Sequence, residues 1–258
     1  MPLIFVGHGS PMNAVADSDY TRSLRALSNR IPNPRAILCV SAHWMSEGTW
    51  VTGMERPRTI HDFYGFPEEL FRINYPASGS PEIAELIGST VIEPQVNVDR
   101  EMWGLDHGCW SVLRHIYPDA SVPVLQFSVY IEQPPEYHFL LGQRLRFLRE
   151  QDVLIIGSGN IVHNLREIVW DENAAPFPWA VEFDEWVKRK ISERTFAPLV
   201  TELGRTESAR MSVPSPDHYY PLLYVLGASD EYDELSFDHD GIQNGSISMR
   251  CLSFGLNR

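Results

Sequence analysis

No apolar stretch of this 258-residue chain approaches the roughly 18 residues that a membrane-spanning helix needs. The opening residues, Met1-Pro2-Leu3-Ile4-Phe5-Val6, lack the basic n-region and small-residue cleavage site of a secretory signal. Basic residues are scarce, and 21 Lys and Arg against 34 Asp and Glu leave a formal charge of −13. That balance argues against a nucleic-acid backbone or an anionic membrane as partner, since both demand clustered cations. Cysteines number only three (Cys39, Cys109 and Cys251), far apart in sequence. Cys39, inside an apolar run, reads as a small core residue in a reducing compartment. These features together predict a cytoplasmic protein. Familiar catalytic signatures are missing as well: there is no G-x-S-x-G elbow, P-loop or C-x-x-C pair. Gly157-Ser158-Gly159 lacks the nucleophile-elbow spacing, and Gly7-His8-Gly9 lacks the third glycine of a dinucleotide fingerprint.

What is present is an ordinary apolar fraction, 43%, enough for a sizeable core. Short apolar runs at Leu3–Gly7, Ala36–Ala42, Val122–Tyr130 and Val153–Gly157 read as buried strands, and Val51–Arg58 as a further strand. Helical spacing marks Asp19–Asn29, Pro81–Ser89, His107–Tyr117, Pro134–Glu150, Trp179–Arg194 and His218–Ala228. Ser246–Ser253 reads as a closing strand. Arg58–Gly79, rich in Pro, Gly and aromatics, has no period and reads as a long functional loop. Alternation of strands and helices, with no repeat or linker, predicts a single α/β domain over residues 1–258. Its central sheet is expected to be mainly parallel and covered by helices on both faces.

Four of the nine histidines sit in compact, similarly built settings. His8, His43 and His163 each follow a strand-like run, and His218 follows Pro214-Ser215-Pro216-Asp217. In open α/β sheets ligands bind beyond the carboxyl ends of the strands, and imidazoles gathered there suit a mononuclear metal site. Each has an ordinary alternative. His8 between two glycines serves equally as a turn residue bonding a carbonyl, and His43 as a core histidine. His163, expected about one turn into a helix capped by Asn160, doubles as a helix-surface residue. At the last position either His218 is a ligand or Asp217 supplies a carboxylate, unless Asp217 merely caps the helix. Asp106 caps a helix that begins at His107, whose imidazole is expected to be neutral at that positive end. His61, in the aromatic loop, suits substrate contact better than metal. His115 at a helix end, His138 on a polar helix face and His239 in an acidic turn are expected to be ordinary.

Six blocks in order, GHGSPMN from Gly7, SAHW from Ser41, TIHDFYGFP from Thr59, WGLDHGCWSVL from Trp103, GSGNIVHNL from Gly157 and SPDHYYPLLYVLGA from Ser215, make the chain resemble the class III extradiol ring-cleavage dioxygenases of the LigB type. The likeness runs through nearly the whole chain and is strongest to the branch acting on DOPA. It implies one divalent metal held by His8, His43 and His218, with His163 as acid/base and possible fourth ligand. His107 is then a hydrogen-bond donor to substrate or oxygen, and His61 and Tyr219 touch the substrate. It implies a small catechol and O₂ as partners, with both oxygen atoms entering the product. Where protocatechuate-type relatives complete a 2-His-1-carboxylate triad, this chain offers His218, and three imidazoles suit Zn(II) as well as Fe(II). Ring cleavage implies Fe(II). The alternatives are a zinc-dependent hydrolase and a non-enzymatic binding protein on the same fold. A monomer or small homo-oligomer is expected.

Overall fold

The computed structural model describes residues 1–256. Its strands are β1 (Leu3–Gly7), β2 (Ala36–Met45), β3 (Thr49–Thr52), β4 (Val96–Asp99), β5 (Val124–Val129), β6 (Val153–Gly159), β7 (Leu235–His239), β8 (Ile242–Gln243), β9 (Ile247–Ser248) and β10 (Cys251–Phe254). The helices are α1 (Asp19–Ser28), α2 (Glu68–Phe71), α3 (Pro81–Thr90), α4 (His107–Ile116), α5 (Pro135–Leu145), α6 (Pro178–Ser192), α7 (Ala197–Thr201), α8 (Glu207–Ser212) and α9 (Tyr220–Ala228). Eight strands form one sheet in the order β4-β3-β5-β2-β6-β1-β10-β7, and β8 pairs with β9 apart from it. The central neighbours β5, β2, β6 and β1 are parallel, whereas β10 and β7 return antiparallel at one edge.

Strand periodicity divides the apolar residues between two cores, because successive side chains of a strand point to opposite faces. Leu3 and Phe5 of β1, Leu38 and Val40 of β2 and Ile155 of β6 face α3, α5, α6 and α9. Ile4 and Val6, Ile37 and Cys39, and Ile156 face α1 and α4. This doubly covered, mainly parallel sheet is the expected architecture. Among the described residues no helix is long and apolar enough to cross a membrane, and all three cysteines are free and buried.

Several boundaries differ from expectation. The third strand occupies Thr49–Thr52 instead of Val51–Arg58, because it ends where its partner β4 ends, at the pair Thr52–Asp99. The Pro134–Glu150 helix stops at Leu145 and continues as a 3₁₀ turn, Arg146–Gln151. Ser246–Ser253 is broken into β9 and β10 by Arg250, which is 2% exposed and sends its guanidinium to Asp184, Glu185 and Asp240. The Arg58–Gly79 loop contains the single turn α2. His138 is not on a polar surface: it is fully buried, its Nδ1 3.0 Å from the Tyr224 hydroxyl and its ring stacked on Tyr220 at 3.9 Å. His115 is also buried, bonded through Nε2 to the Asn13 carbonyl at 2.7 Å. Burial lowers its pKa, which favours the neutral ring. His239 ends β7 and meets the ring of Tyr20 edge-on.

Candidate metal centre

Parallel register brings the carboxyl ends of β1, β2 and β6 to one level. Ser158 of β6 pairs with Val6 of β1 on one side and with Ser41 of β2 on the other. His8 and His43, each two residues further on, therefore emerge side by side. Their rings stand 5.0 Å apart, and His8 Nε2 lies 3.1 Å from His43 Nε2. His107, the first residue of α4, joins them with its ring 4.0 Å from His43. The side chain of Asp106 caps that helix by accepting from the Cys109 amide, as expected.

His163 and His218 complete a cluster of five imidazoles. The ring of His218 is 5.2 Å from His8 and 5.0 Å from His43, and it stacks on His163 at 3.5 Å, nearly parallel. No helix follows Gly159: the strand runs through Gly157-Ser158-Gly159, and Asn160 donates its side-chain amide to Ser248 O instead of capping. His163 is held in a loop by its amide on Ser212 O and a bridge to Ile247. His218 lies in the turn before α9, which begins at Tyr220. Asp217 is not the cap; its carboxylate bonds His218 Nδ1 instead. Gly159 permits this approach, since a Cβ there would stand 2.1 Å from the His218 carbonyl oxygen.

The partners of the Nδ1 atoms fix which nitrogen faces the crevice. The Ser158 hydroxyl gives its one proton to Gly108 O at 2.6 Å, so toward His8 Nδ1, at 3.0 Å, it can only accept. Asp62 Oδ2 lies 3.2 Å from His43 Nδ1 and 2.9 Å from His107 Nδ1. Burial works to raise the Asp62 pKa, but hydrogen bonds from His107 outweigh it and keep the carboxylate charged. Asp217 is held well below the usual carboxylate range in the same way, by its bond from His218 against its burial. In His8, His107 and His218, then, Nδ1 holds a proton against its acceptor, and the Asp62 carboxylate beside His43 Nδ1 favours a proton there too.

Burial first, then the neighbouring imidazoles, lowers the pKa of His8 and of His43 far below the usual histidine value. Burial and the adjacent His218 do the same to His163, against the pull of Asp217. These rings are accordingly neutral at pH 7. The Nε2 atoms of His8 and His43 face each other at 3.1 Å, a separation that one cation held by both can bridge. Two nitrogens about 2.0–2.1 Å from one tetrahedral zinc stand about 3.3 Å apart. The donor set fits a divalent metal.

Ligand atoms fall into two groups, His8, His43 and His107 in one and His163, Asp217 and His218 in the other, each within 4.8 Å of one another. The residue types cannot reveal that split, because it depends on how the last turn before α9 packs. His107 holds a proton on Nδ1 toward Asp62, so its Nε2 accepts in the neutral ring and donates in the doubly protonated one.

Two residues expected to touch substrate are placed elsewhere. Tyr219 is fully buried, packs on Phe183 and donates its hydroxyl to Leu199 O, so it belongs to the core behind the site. His61 bonds Ile73 O through Nε2 and packs against Phe63, Phe71 and Trp110. It braces the aromatic loop, and Phe63 is the residue that meets His107, edge-on at 5.5 Å. Asp62 and Ser158 were not among the residues expected at the site. The signal for Asp62 was an acidic residue beside a histidine in an otherwise aromatic loop.

Known proteins resemble this chain over nearly its whole length. The family model for the catalytic LigB subunit of aromatic ring-opening dioxygenases matches residues 1–249. A 4,5-DOPA dioxygenase extradiol of Escherichia coli K12 is 45% identical over 99% of this chain and 95% of its own. The protein of the same name from Beta vulgaris is 34% identical over 97% and 95%. The crystal structure of an uncharacterized protein of E. coli K12 superposes with a TM-score of 0.86 at 42% identity, covering 99% of this chain and 100% of that one. The chain belongs to the LigB family of aromatic ring-opening dioxygenases.

Proposed function

We propose that the chain is an extradiol dioxygenase that opens the ring of a small, DOPA-like catechol with O₂ at an Fe(II) centre. The observation that carries this reading is the cluster of oriented imidazoles gathered beside the carboxyl ends of the parallel strands, with the Nε2 atoms of His8 and His43 3.1 Å apart. His8, His43 and His218 are the proposed ligands. Fe(II) held there supplies the redox chemistry and open positions that catechol and O₂ need, which redox-silent zinc, though it fits the same donors, does not.

The remaining residues act on the substrate. His163, neutral because it is buried and stacked beside His218, takes a phenolic proton. His107 is a second acceptor through Nε2, and becomes a donor once protonated, with Asp62 balancing the charge on its far nitrogen. Phe63 offers an aromatic edge beside His107 for the catechol ring. The names of the bacterial and plant relatives support DOPA as the first substrate to try. The three free, buried cysteines support a cytoplasmic setting, with the working unit a monomer or small homo-oligomer.

Protein loaded anaerobically with Fe(II) is expected to consume O₂ when given DOPA and to form a yellow product. The zinc-loaded form is expected to bind the catechol without consuming oxygen. Failure of the Fe(II) form with DOPA, caffeate and protocatechuate alike would remove the reading.

A further inference from the structure

We propose that Asp62 is a positioning residue that sets the tautomers of His43 and His107 together, so that one carboxylate prepares a metal ligand and a substrate-facing base at once. The inference rests on the metal-dependent reading above. Two hydrogen bonds and one close contact converge on this side chain. Oδ2 accepts from His107 Nδ1 at 2.9 Å, Oδ1 accepts the backbone amide of His107 at 2.9 Å, and Oδ2 lies 3.2 Å from His43 Nδ1. A carboxylate has no proton to give, so His107 donates at both bonds, and the carboxylate's negative charge favours a proton on the nearby Nδ1 of His43. Both rings then hold a proton on Nδ1.

The amide bond ties Asp62 to the first turn of α4, and the packing of its neighbours seats the loop that carries it. Trp110 of α4 donates its indole N–H to Ile60 O at 2.8 Å, and Phe63 packs on Trp110 and His107. The aromatic loop that borders the substrate side is thus linked through one carboxylate to the state of a metal ligand. His8 and His218 take their orientation from different groups, Ser158 and Asp217. They do not depend on Asp62, and they serve as internal controls.

Asp62→Asn separates this role from simple packing, because the carboxamide has the same shape but only one accepting oxygen. If that oxygen serves the two rings, the NH₂ group opposes the His107 amide. If the side chain turns over, the NH₂ group donates toward the rings and draws their protons to Nε2. Histidine tautomers are read by ¹⁵N–¹H correlation NMR of the metal-free protein. The wild type is expected to show His43 and His107 protonated on Nδ1. In Asp62→Asn at least one of them should move toward the Nε2–H form while His8 and His218 stay unchanged. Zinc affinity, measured by competition with a chelator, should fall about 10–100-fold, the usual effect of losing such a partner, and Asp62→Glu should recover part of it.

The proposal is overturned if the wild type carries the proton of either ring on Nε2. It is equally overturned if Asp62→Asn keeps both tautomers and binds zinc within about twofold of wild type, well short of that range. Should Asp62→Asn fail to fold, the wild-type tautomers alone decide. Neither readout uses catechol or oxygen, so the result stands apart from whether DOPA is the substrate.

Discussion

Ser158 has one hydroxyl proton, and the 2.6 Å bond to Gly108 O takes it, which leaves His8 Nδ1 facing an acceptor. Residue-scale facts of this kind divide the five imidazoles into roles. His8→Ala, His43→Ala and His218→Ala are each expected to lower bound metal below one ion per chain. His163→Ala should retain the metal and lose turnover by roughly 10²–10⁴-fold, the usual worth of a general acid or base. Elemental analysis alongside initial rates checks the assignment. Metal loss in His107→Ala with retention in His218→Ala would exchange those two roles, and metal loss in His163→Ala would make that residue a ligand. The sequence made the candidate histidines visible because each stands beside Gly, Pro or a strand end. It did not make their orienting partners visible, since Ser158 and Asp62 are 150 and 45 residues from the histidines they hold, His8 and His107.

At the scale of elements, the site exists because β6 and the turn before α9 approach more closely than side chains ordinarily permit. Gly159→Ala would place a methyl group against the His218 carbonyl, a backbone atom that cannot rotate aside. It is expected to cost roughly 1–3 kcal/mol, typical of overpacking, and to weaken zinc binding by displacing His218. Thermal unfolding and a zinc titration test both parts, and an unchanged titration would mean that the turn yields without moving the imidazole. The buried parallel strands and long amphipathic helices were legible because each carries its own apolar signature. The strands β4 (Val-Asn-Val-Asp) and β7 (Leu-Ser-Phe-Asp-His) were not read as strands, since they lie at the sheet edges with mixed polarity and depend on their neighbours for definition. The short helices α7 and α8 were equally hidden, with five and six residues and too little length to show a period.

For the whole molecule, the sequence allowed a doubly covered parallel sheet to be expected, while the burial of His138 could not be. That burial links stability to pH. Removal from water lowers the native pKa of His138 to about 3, from an ordinary value of 6.5. The unfolded chain therefore takes up a proton below pH 6.5 that the native state refuses. Stability present above pH 6.5 is lost as the pH falls toward 3, by up to about 1.4 kcal/mol per unit. Between pH 6.5 and 5 this group contributes a loss of roughly 2 kcal/mol. Denaturant titrations of wild type and His138→Phe at pH 7 and pH 5 isolate it: the variant should lose less stability on acidification. Equal losses would show that His138 is not the group responsible.

The central claim is that the gathered imidazoles support insertion of molecular oxygen into a catechol ring. It is tested most directly by mass spectrometry of the product formed from DOPA by the Fe(II)-loaded protein under ¹⁸O₂, quenched before the new carbonyl exchanges with water. The account predicts a ring-opened product carrying both atoms of the labelled oxygen. A product that carries oxygen from water alone, or an intact catechol after oxygen has been consumed, would contradict it.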